Sequence, residues 1–161
     1  MFELRPVTFT KVPNSDSGLI VALICIARAL VGLHALKYVH RDIRWPNILC
    51  LGEASYFLTD FVNAGRDGER MPDSILESRL LDPLFGQVYR CCYDMYQFGK
   101  LIVDIEDASL WQLKLNLQSS NVAERYTAEK SVDLSFRHAG SGTRWLFEIN
   151  GAVGQLSSIE L

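Results

Sequence analysis

One uninterrupted apolar segment limits the folds open to this chain of 161 residues. Leu19–Ala27 is nine consecutive apolar residues, and apolar side chains predominate for a further two turns. A membrane-spanning helix needs roughly 18 or more apolar residues without charge, and Arg28 interrupts this run. We therefore expect the central buried helix of a soluble domain, over about residues 17–36, and no membrane span.

The charge balance does not fit a nucleic-acid-binding protein. Sixteen Lys and Arg against nineteen Asp and Glu give a net charge of -3, and no basic block is available to neutralise phosphates. The four cysteines, Cys25, Cys50, Cys91 and Cys92, lack the paired spacing of a zinc site. Because the N-terminus lacks the long apolar core of a signal peptide, we expect a reduced, intracellular and cytoplasmic protein.

Turn residues and periodicity divide the chain into three parts. Residues 1–16 are expected to be irregular, residues 17–132 to form one folded domain, and residues 133–161 to be a tail whose Asn150-Gly151 pair signals a hairpin. The domain is expected to be mainly α-helical with one small antiparallel β-hairpin. The hairpin is predicted over Asn47–Leu51 and Tyr56–Thr59, further helices over Tyr89–Ile105, Leu110–Leu117 and Ala123–Val132, and a helical turn near Ser74–Leu80.

The polar residues that carry chemistry lie at one end of the predicted hairpin. Asp42 is in the preceding loop, Asn47 opens the first strand, and Asp60 follows the second. Their oxygens can therefore project to the same end, and such hard ligands suit Mg²⁺, which takes further ligands from water and substrate phosphates. Asp42 is placed to accept a proton from a substrate hydroxyl, and Arg44 to neutralise a transferring phosphoryl group.

The stretch that holds these residues reads His40-Arg41-Asp42-Ile43-Arg44-Trp45-Pro46-Asn47, and Asp60-Phe61-Val62 follows thirteen residues later. It resembles the HRDxxxxN catalytic loop and the DFG magnesium loop of the eukaryotic protein kinases. Asp94 to Gly99 is similar to the DxxxxG start of that family's next buried helix, and Arg125-Tyr126-Thr127-Ala128 to its RPTA turn. The resemblance covers about residues 17–130 and implies a protein-kinase-like C-terminal lobe.

The resemblance implies ATP- and Mg²⁺-dependent phosphoryl transfer to a protein hydroxyl, of serine or threonine rather than tyrosine. Asp42 resembles the catalytic base, and Asn47 and Asp60 resemble the residues that bind the metal and, through it, the nucleotide. Arg44 stands where serine/threonine kinases usually carry a lysine. It keeps the charge but replaces a mobile ammonium with a planar fork.

Four neighbouring residues have implied structural roles. Arg41 resembles the residue that contacts a phosphorylated activation loop. His40 and Phe61 resemble packed residues that couple the two loops. Asp94 resembles the aspartate that holds the backbone N–H groups of the catalytic loop.

The sequence also departs from the kinase pattern. No glycine-rich loop and no strand lysine with a partner glutamate precede the helix, so we expect a lobe that lacks its N-lobe or takes one from another source. Val62 replaces the glycine of DFG, and a β-branched residue adopts positive φ only at a cost. Leu81-Asp82-Pro83-Leu84 is the nearest equivalent of the Ala-Pro-Glu segment. It lacks the glutamate that would pair with Arg125, so that anchoring ion pair is doubtful.

Three functions are open on the sequence alone. One is a protein kinase lobe with a protein substrate, for which we expect weak activity or none in the isolated chain. Another is a non-catalytic interaction module, or pseudokinase, with a protein partner. The third is a small-molecule kinase of the aminoglycoside and choline kinase type, which Arg41 beside Asp42 speaks against. Non-catalytic roles are also open for single residues. Asp60 would cap a turn, and Trp45 would be a packing lid or a partner contact.

Overall fold

A computed structural model describes residues 8–10, 12–52, 55–72, 82–103 and 105–132. The predictions for Ser74–Leu80 and for residues 133–161 lie outside the described residues. The described part combines helices with two small antiparallel sheets. Its elements are β1 (Thr8–Phe9), α1 (Asp16–Ala35), β2 (Tyr38–Val39), β3 (Ile48–Leu51), β4 (Ser55–Leu58), β5 (Gly65–Arg66), α2 (Cys91–Gly99), α3 (Ala108–Leu117) and α4 (Ala128–Val132).

Helix α1 is the centre of the hydrophobic core. Its N-cap is Ser15, whose Oγ accepts the Gly18 N–H at 3.2 Å. One face buries Leu23, Ile26 and Leu30 against β4 and α4. Among the described residues, α1 is the one helix long and apolar enough to cross a membrane by length and composition. The prediction of a helix packed into the core is confirmed.

The predicted hairpin is confirmed as β3 and β4, with Ile48 opposite Leu58 and Leu51 opposite Ser55. A correction is needed for Thr8–Phe9, which lies within the segment 1–16 that was expected to be irregular. Thr8 pairs with Leu51, so β1 adds a third strand to the free edge of β3. The edge of a two-stranded hairpin leaves backbone donors and acceptors unpaired, which a short segment can satisfy without any sequence pattern of its own.

Two predicted helices are shorter than expected. The Tyr89–Ile105 prediction becomes α2, which runs only from Cys91 to Gly99. A Cβ at Gly99 would lie 3.1 Å from the Cβ of Leu117, so glycine there allows α3 to pack closely. The Ala123–Val132 prediction becomes a 3₁₀ turn at Val122–Glu124 followed by α4. Arg125 interrupts this segment with extended backbone. The Leu110–Leu117 helix is confirmed as α3.

Candidate functional site

The loop that precedes β3 is fixed by one buried carboxylate on α2. Asp94 is fully buried and accepts the backbone N–H of His40 at 2.7 Å and that of Arg41 at 2.9 Å. The Tyr89 hydroxyl and the His34 Nε2 donate to the same carboxylate, each at 3.1 Å. Burial and, next, the charge of Asp94 raise the pKa of Tyr89 well above its usual value, so the phenol remains a donor. The role predicted for Asp94 is confirmed.

Both oxygens of the Asp42 carboxylate contact neighbouring side chains. Its Oδ1 lies 3.1 Å from Nε of Arg44, and its Oδ2 accepts a hydrogen bond from Nδ2 of Asn47 at 2.9 Å. The same Nδ2 donates to the backbone carbonyl of Asp42 at 2.8 Å. Asp42 is buried, whereas Arg44 is half-exposed. The predicted base and the predicted phosphate-binding arginine are therefore in direct contact.

Asn47 and Asp60 lie at the same end of the hairpin, as predicted. Thr59, directly before Asp60, donates its N–H and its hydroxyl to the Asn47 carbonyl at 2.9 and 3.0 Å. Asp60 is exposed and has a left-handed backbone with φ 63° and ψ 64°, which aspartate tolerates better than most residues. Its side chain makes no capping hydrogen bond to the Phe61–Asn63 turn. The alternative role of Asp60 as a turn cap is therefore wrong.

The available donor set fits Mg²⁺. Both bonds of the Asn47 amide nitrogen go to oxygens of Asp42, so the amide Oδ1 is the atom available to a cation. Asp60 adds an exposed carboxylate. Within the described ranges, no group of three or more His, Cys, Asp and Glu that could hold a metal is found. A Mg²⁺ ion at this site would therefore take most of its ligands from water and phosphate, which is its usual preference.

His40 couples this loop to the end of β4. The ring is fully buried, its Nε2 donates to the Thr59 carbonyl at 2.9 Å, and its Nδ1 accepts the Asp42 N–H at 3.3 Å. This pattern requires the neutral imidazole with its proton on Nε2. The ring also packs edge-to-face on Phe61, with 4.8 Å between centroids. The expectation of a packed, hydrogen-bonded histidine is confirmed.

The guanidinium of Arg41 is buried, and only some of its N–H groups have polar partners among the described residues. Its Nη2 lies 3.7 Å from a Glu69 carboxylate oxygen, and its Nε and Nη2 make no hydrogen bond in the described part of the chain. The group stacks over Tyr89 at 5.8 Å and against Gly65. A Cβ at Gly65 would collide with the guanidinium, so the close approach requires glycine there.

The doubtful ion pair of Arg125 is present, and Asp82 is its partner. Both side chains are almost fully buried. Nε of Arg125 also donates to the Ser119 carbonyl at 2.7 Å, and Asp82 accepts the Leu84 N–H at 2.8 Å. The expectation based on the missing glutamate is therefore wrong. A carboxylate one methylene shorter reaches the guanidinium from its own backbone position.

Two further residues hold the loop through polar contacts that the sequence did not reveal, Gln97 and Trp45. Gln97 accepts the Ile43 N–H at 2.8 Å and donates to the Arg41 carbonyl at 3.0 Å. Its spacing of three residues from Asp94, which puts both on one helix face, is the signal that could have found it. The indole N–H of Trp45 donates to the Leu101 carbonyl at 3.2 Å. Trp45 therefore packs against the core.

Comparison with curated proteins finds a distant similarity. No protein-family model matches the chain. Over 146 residues the chain is 27% identical to Crinkler effector protein 8 of Phytophthora infestans, an alignment that covers 83% of this chain and 24% of that protein. The chain thus spans about a quarter of the length of the curated relative it matches.

Proposed function

We propose that the chain is the catalytic-loop lobe of a eukaryotic-type protein kinase. Its proposed reaction is Mg²⁺-dependent transfer of the γ-phosphoryl group of ATP to a serine or threonine hydroxyl of a protein. The observation that carries the proposal is the meeting of Asp42, Asn47 and Asp60 at one end of the β3–β4 hairpin. Phosphoryl transfer depends mainly on positioning and charge neutralisation, and these residues supply both.

In this proposal each residue acts through the atom that its contacts leave available. Asp42 orients the acceptor hydroxyl and takes up its proton. Its carboxylate is already aligned by Asn47 and Arg44. Oδ1 of Asn47 and the Asp60 carboxylate bind the metal, which would supply charge neutralisation to the bound nucleotide. Because Arg44 is half-exposed, it can turn from Asp42 towards the transferring group.

The proposed setting is intracellular and cytoplasmic, with a protein as substrate. A kinase nucleotide site also needs a glycine-rich loop and a strand lysine, so we propose that an N-lobe outside this sequence completes the pocket. The curated relative is about four times as long as the aligned region. Its extra length is compatible with such an arrangement.

A non-catalytic interaction module is the second candidate. Both oxygens of Asp42 are engaged by neighbouring side chains, which favours a fixed loop over a working base. Val62, in place of the DFG glycine, is 87% exposed and offers an apolar contact for a protein partner. The relative's name calls that protein an effector, and an effector can act by binding alone.

The proposal is tested by thermal unfolding of the chain with and without ATP and Mg²⁺. A ligand at about 100 times its dissociation constant adds about 2.7 kcal/mol to the stability of its site. We expect a Mg²⁺-dependent rise in Tm that Asp60→Asn abolishes and that the distant control Asp16→Asn keeps. An equal rise in Asp60→Asn would contradict metal-dependent nucleotide binding at this site. An unchanged Tm in the parent chain would mean that this lobe alone holds no nucleotide and would favour the interaction module.

A further inference from the structure

The backbone of residues 40–43 is buried without belonging to a strand or helix. Buried N–H and C=O groups need partners, and in this stretch side chains accept all four N–H groups. The Asp94 carboxylate accepts hydrogen bonds from the N–H groups of His40 and Arg41. The His40 ring accepts one from the N–H of Asp42. The remaining N–H of this stretch belongs to Ile43, and it donates to Gln97.

Gln97 contacts the peptide groups on both sides of Asp42. Its Oε1 accepts the Ile43 N–H at 2.8 Å, and its Nε2 donates to the Arg41 carbonyl at 3.0 Å. The side chain is 1% exposed, so water does not compete for either bond. The positive φ of Arg41, 72°, belongs to the turn that these two bonds close.

We propose that Gln97 is a positioning residue, which sets the direction of the Asp42 side chain by fixing the two peptide groups that flank it. A primary amide is one of the few side-chain groups that offers a donor and an acceptor side by side. Asp94 supplies acceptors alone, so it cannot bind the Arg41 carbonyl. The role of Asp42 as a base rests on the proposed function, whereas the two bonds of Gln97 do not.

Two substitutions separate hydrogen bonding from packing at this position. Gln97→Met keeps the length of the side chain and removes both bonds, leaving the Ile43 N–H and the Arg41 carbonyl unpaired. Gln97→Glu keeps the acceptor but has a donor only while the introduced carboxyl is protonated. Burial favours that neutral form. The Gln97→Glu variant should therefore regain the wild-type arrangement as the pH falls, and Gln97→Met should not regain it at any pH.

The direct test is hydrogen exchange at single amides, measured by NMR from pH 5 to pH 8. We expect the Ile43 amide of Gln97→Met to exchange about tenfold faster than in wild type at every pH. In Gln97→Glu the excess should shrink towards wild type at pH 5. Comparison with wild type at the same pH cancels the titration of the groups around the loop, His34, His40, Asp42 and Asp94. Gln112→Met and Gln112→Glu, on the exposed face of α3, are the matched controls.

A second measurement, of steady-state kinetics, tests whether the two hydrogen bonds of Gln97 affect Asp42. If wild type turns over Mg²⁺-ATP, Gln97→Met should lower kcat about 10- to 100-fold with KM unchanged, because a displaced base affects the chemical step. Wild-type exchange in both Gln97 variants would overturn the inference, and so would equal behaviour of the two variants at pH 5. An unchanged kcat in Gln97→Met would also overturn it. Failure of wild type to bind Mg²⁺-ATP would instead count against the proposed function, and the exchange result would still decide the role of Gln97.

Discussion

Two aspartates of the candidate site have opposite surroundings. The carboxylate of Asp94 is fully buried and its oxygens are occupied by four donors from the protein. The carboxylate of Asp60 is exposed and caps nothing, although its backbone holds a left-handed conformation. The first carboxylate has no capacity left for a ligand, and the second is open to solvent. Burial and partners, more than residue type, thus distinguish a structural carboxylate from one that is open to a ligand.

This contrast predicts different stability costs for the same substitution. Asp94→Asn places an amide NH₂ among donors, so we expect a loss of about 2–4 kcal/mol in the free energy of unfolding. Asp60→Asn should change it by less than about 0.5 kcal/mol, since asparagine also tolerates positive φ. Urea unfolding of both variants measures the difference. Equal costs would contradict the division of roles.

Cys91 provides a prediction about reactivity. Burial, followed by the charge of Asp67, raises the pKa of the Cys91 thiol to about 12. Because the thiolate is the reactive form, folded Cys91 should hold about a thousandfold less thiolate at pH 8 than an unshifted cysteine. Asp67→Asn removes the charge and keeps an acceptor for the Cys91 N–H, which Asp67 binds at 3.0 Å.

Alkylation by iodoacetamide, followed by peptide mass spectrometry, tests this prediction. We expect faster labelling of Cys91 in Asp67→Asn, and the parent rate in Glu129→Gln, which changes an exposed charge on α4. Rapid labelling of Cys91 in the folded parent chain would show that the thiol is not suppressed.

At the scale of elements, a buried ion pair helps to attach the segment before α2 to the rest of the fold. Asp82 meets Arg125 in the stretch between α3 and α4, and Arg125 also stacks over Tyr96 of α2 at 5.3 Å. Breaking a buried pair leaves an uncompensated charge and typically costs 3–5 kcal/mol. The ion pair thus joins three segments that the sequence separates widely.

A double-mutant cycle tests this anchoring role. We expect Asp82→Leu and Arg125→Met each to cost about 3–5 kcal/mol, and the double variant to cost clearly less than their sum, because it leaves no charge unpaired. Urea unfolding of the four proteins gives the coupling energy. Additive costs would mean that the two charges do not depend on each other.

At the scale of the whole molecule, local patterns predicted the parts that local physics controls. The apolar run of α1, the hairpin and the placement of Asn47 and Asp60 follow from periodicity and turn residues. The strand at Thr8–Phe9 does not, because its partner edge on β3 lies some forty residues away. Nor does the contact of Asp82 with Arg125, since a kinase motif specifies glutamate there. Both contacts join residues that are far apart in the chain, and a single sequence carries no local pattern that predicts such pairs.

The central position of α1 predicts opposite results for two of its residues. Ile26 is fully buried, so Ile26→Ala should cost about 2–5 kcal/mol through lost packing and a cavity. Gly32 is exposed, with open space where a Cβ would lie. Gly32→Ala should therefore stabilise the chain by about 0.5–1 kcal/mol. Thermal unfolding of both variants checks the signs, and a stabilising Ile26→Ala would contradict the core described here.

The dependence of the 40–43 loop on α2 has a consequence for synthesis on the ribosome. A nascent polypeptide that has reached Tyr89 already contains the whole HRDxxxxN and Asp60-Phe61 signature, but it has neither Asp94 nor Gln97 to close the loop around it. The 40–43 loop therefore takes its shape late, after more than fifty residues that follow Ile43 have been added to the chain. A fragment that contains the motif but ends before α2 would have the residues of the site without the contacts that hold them in place.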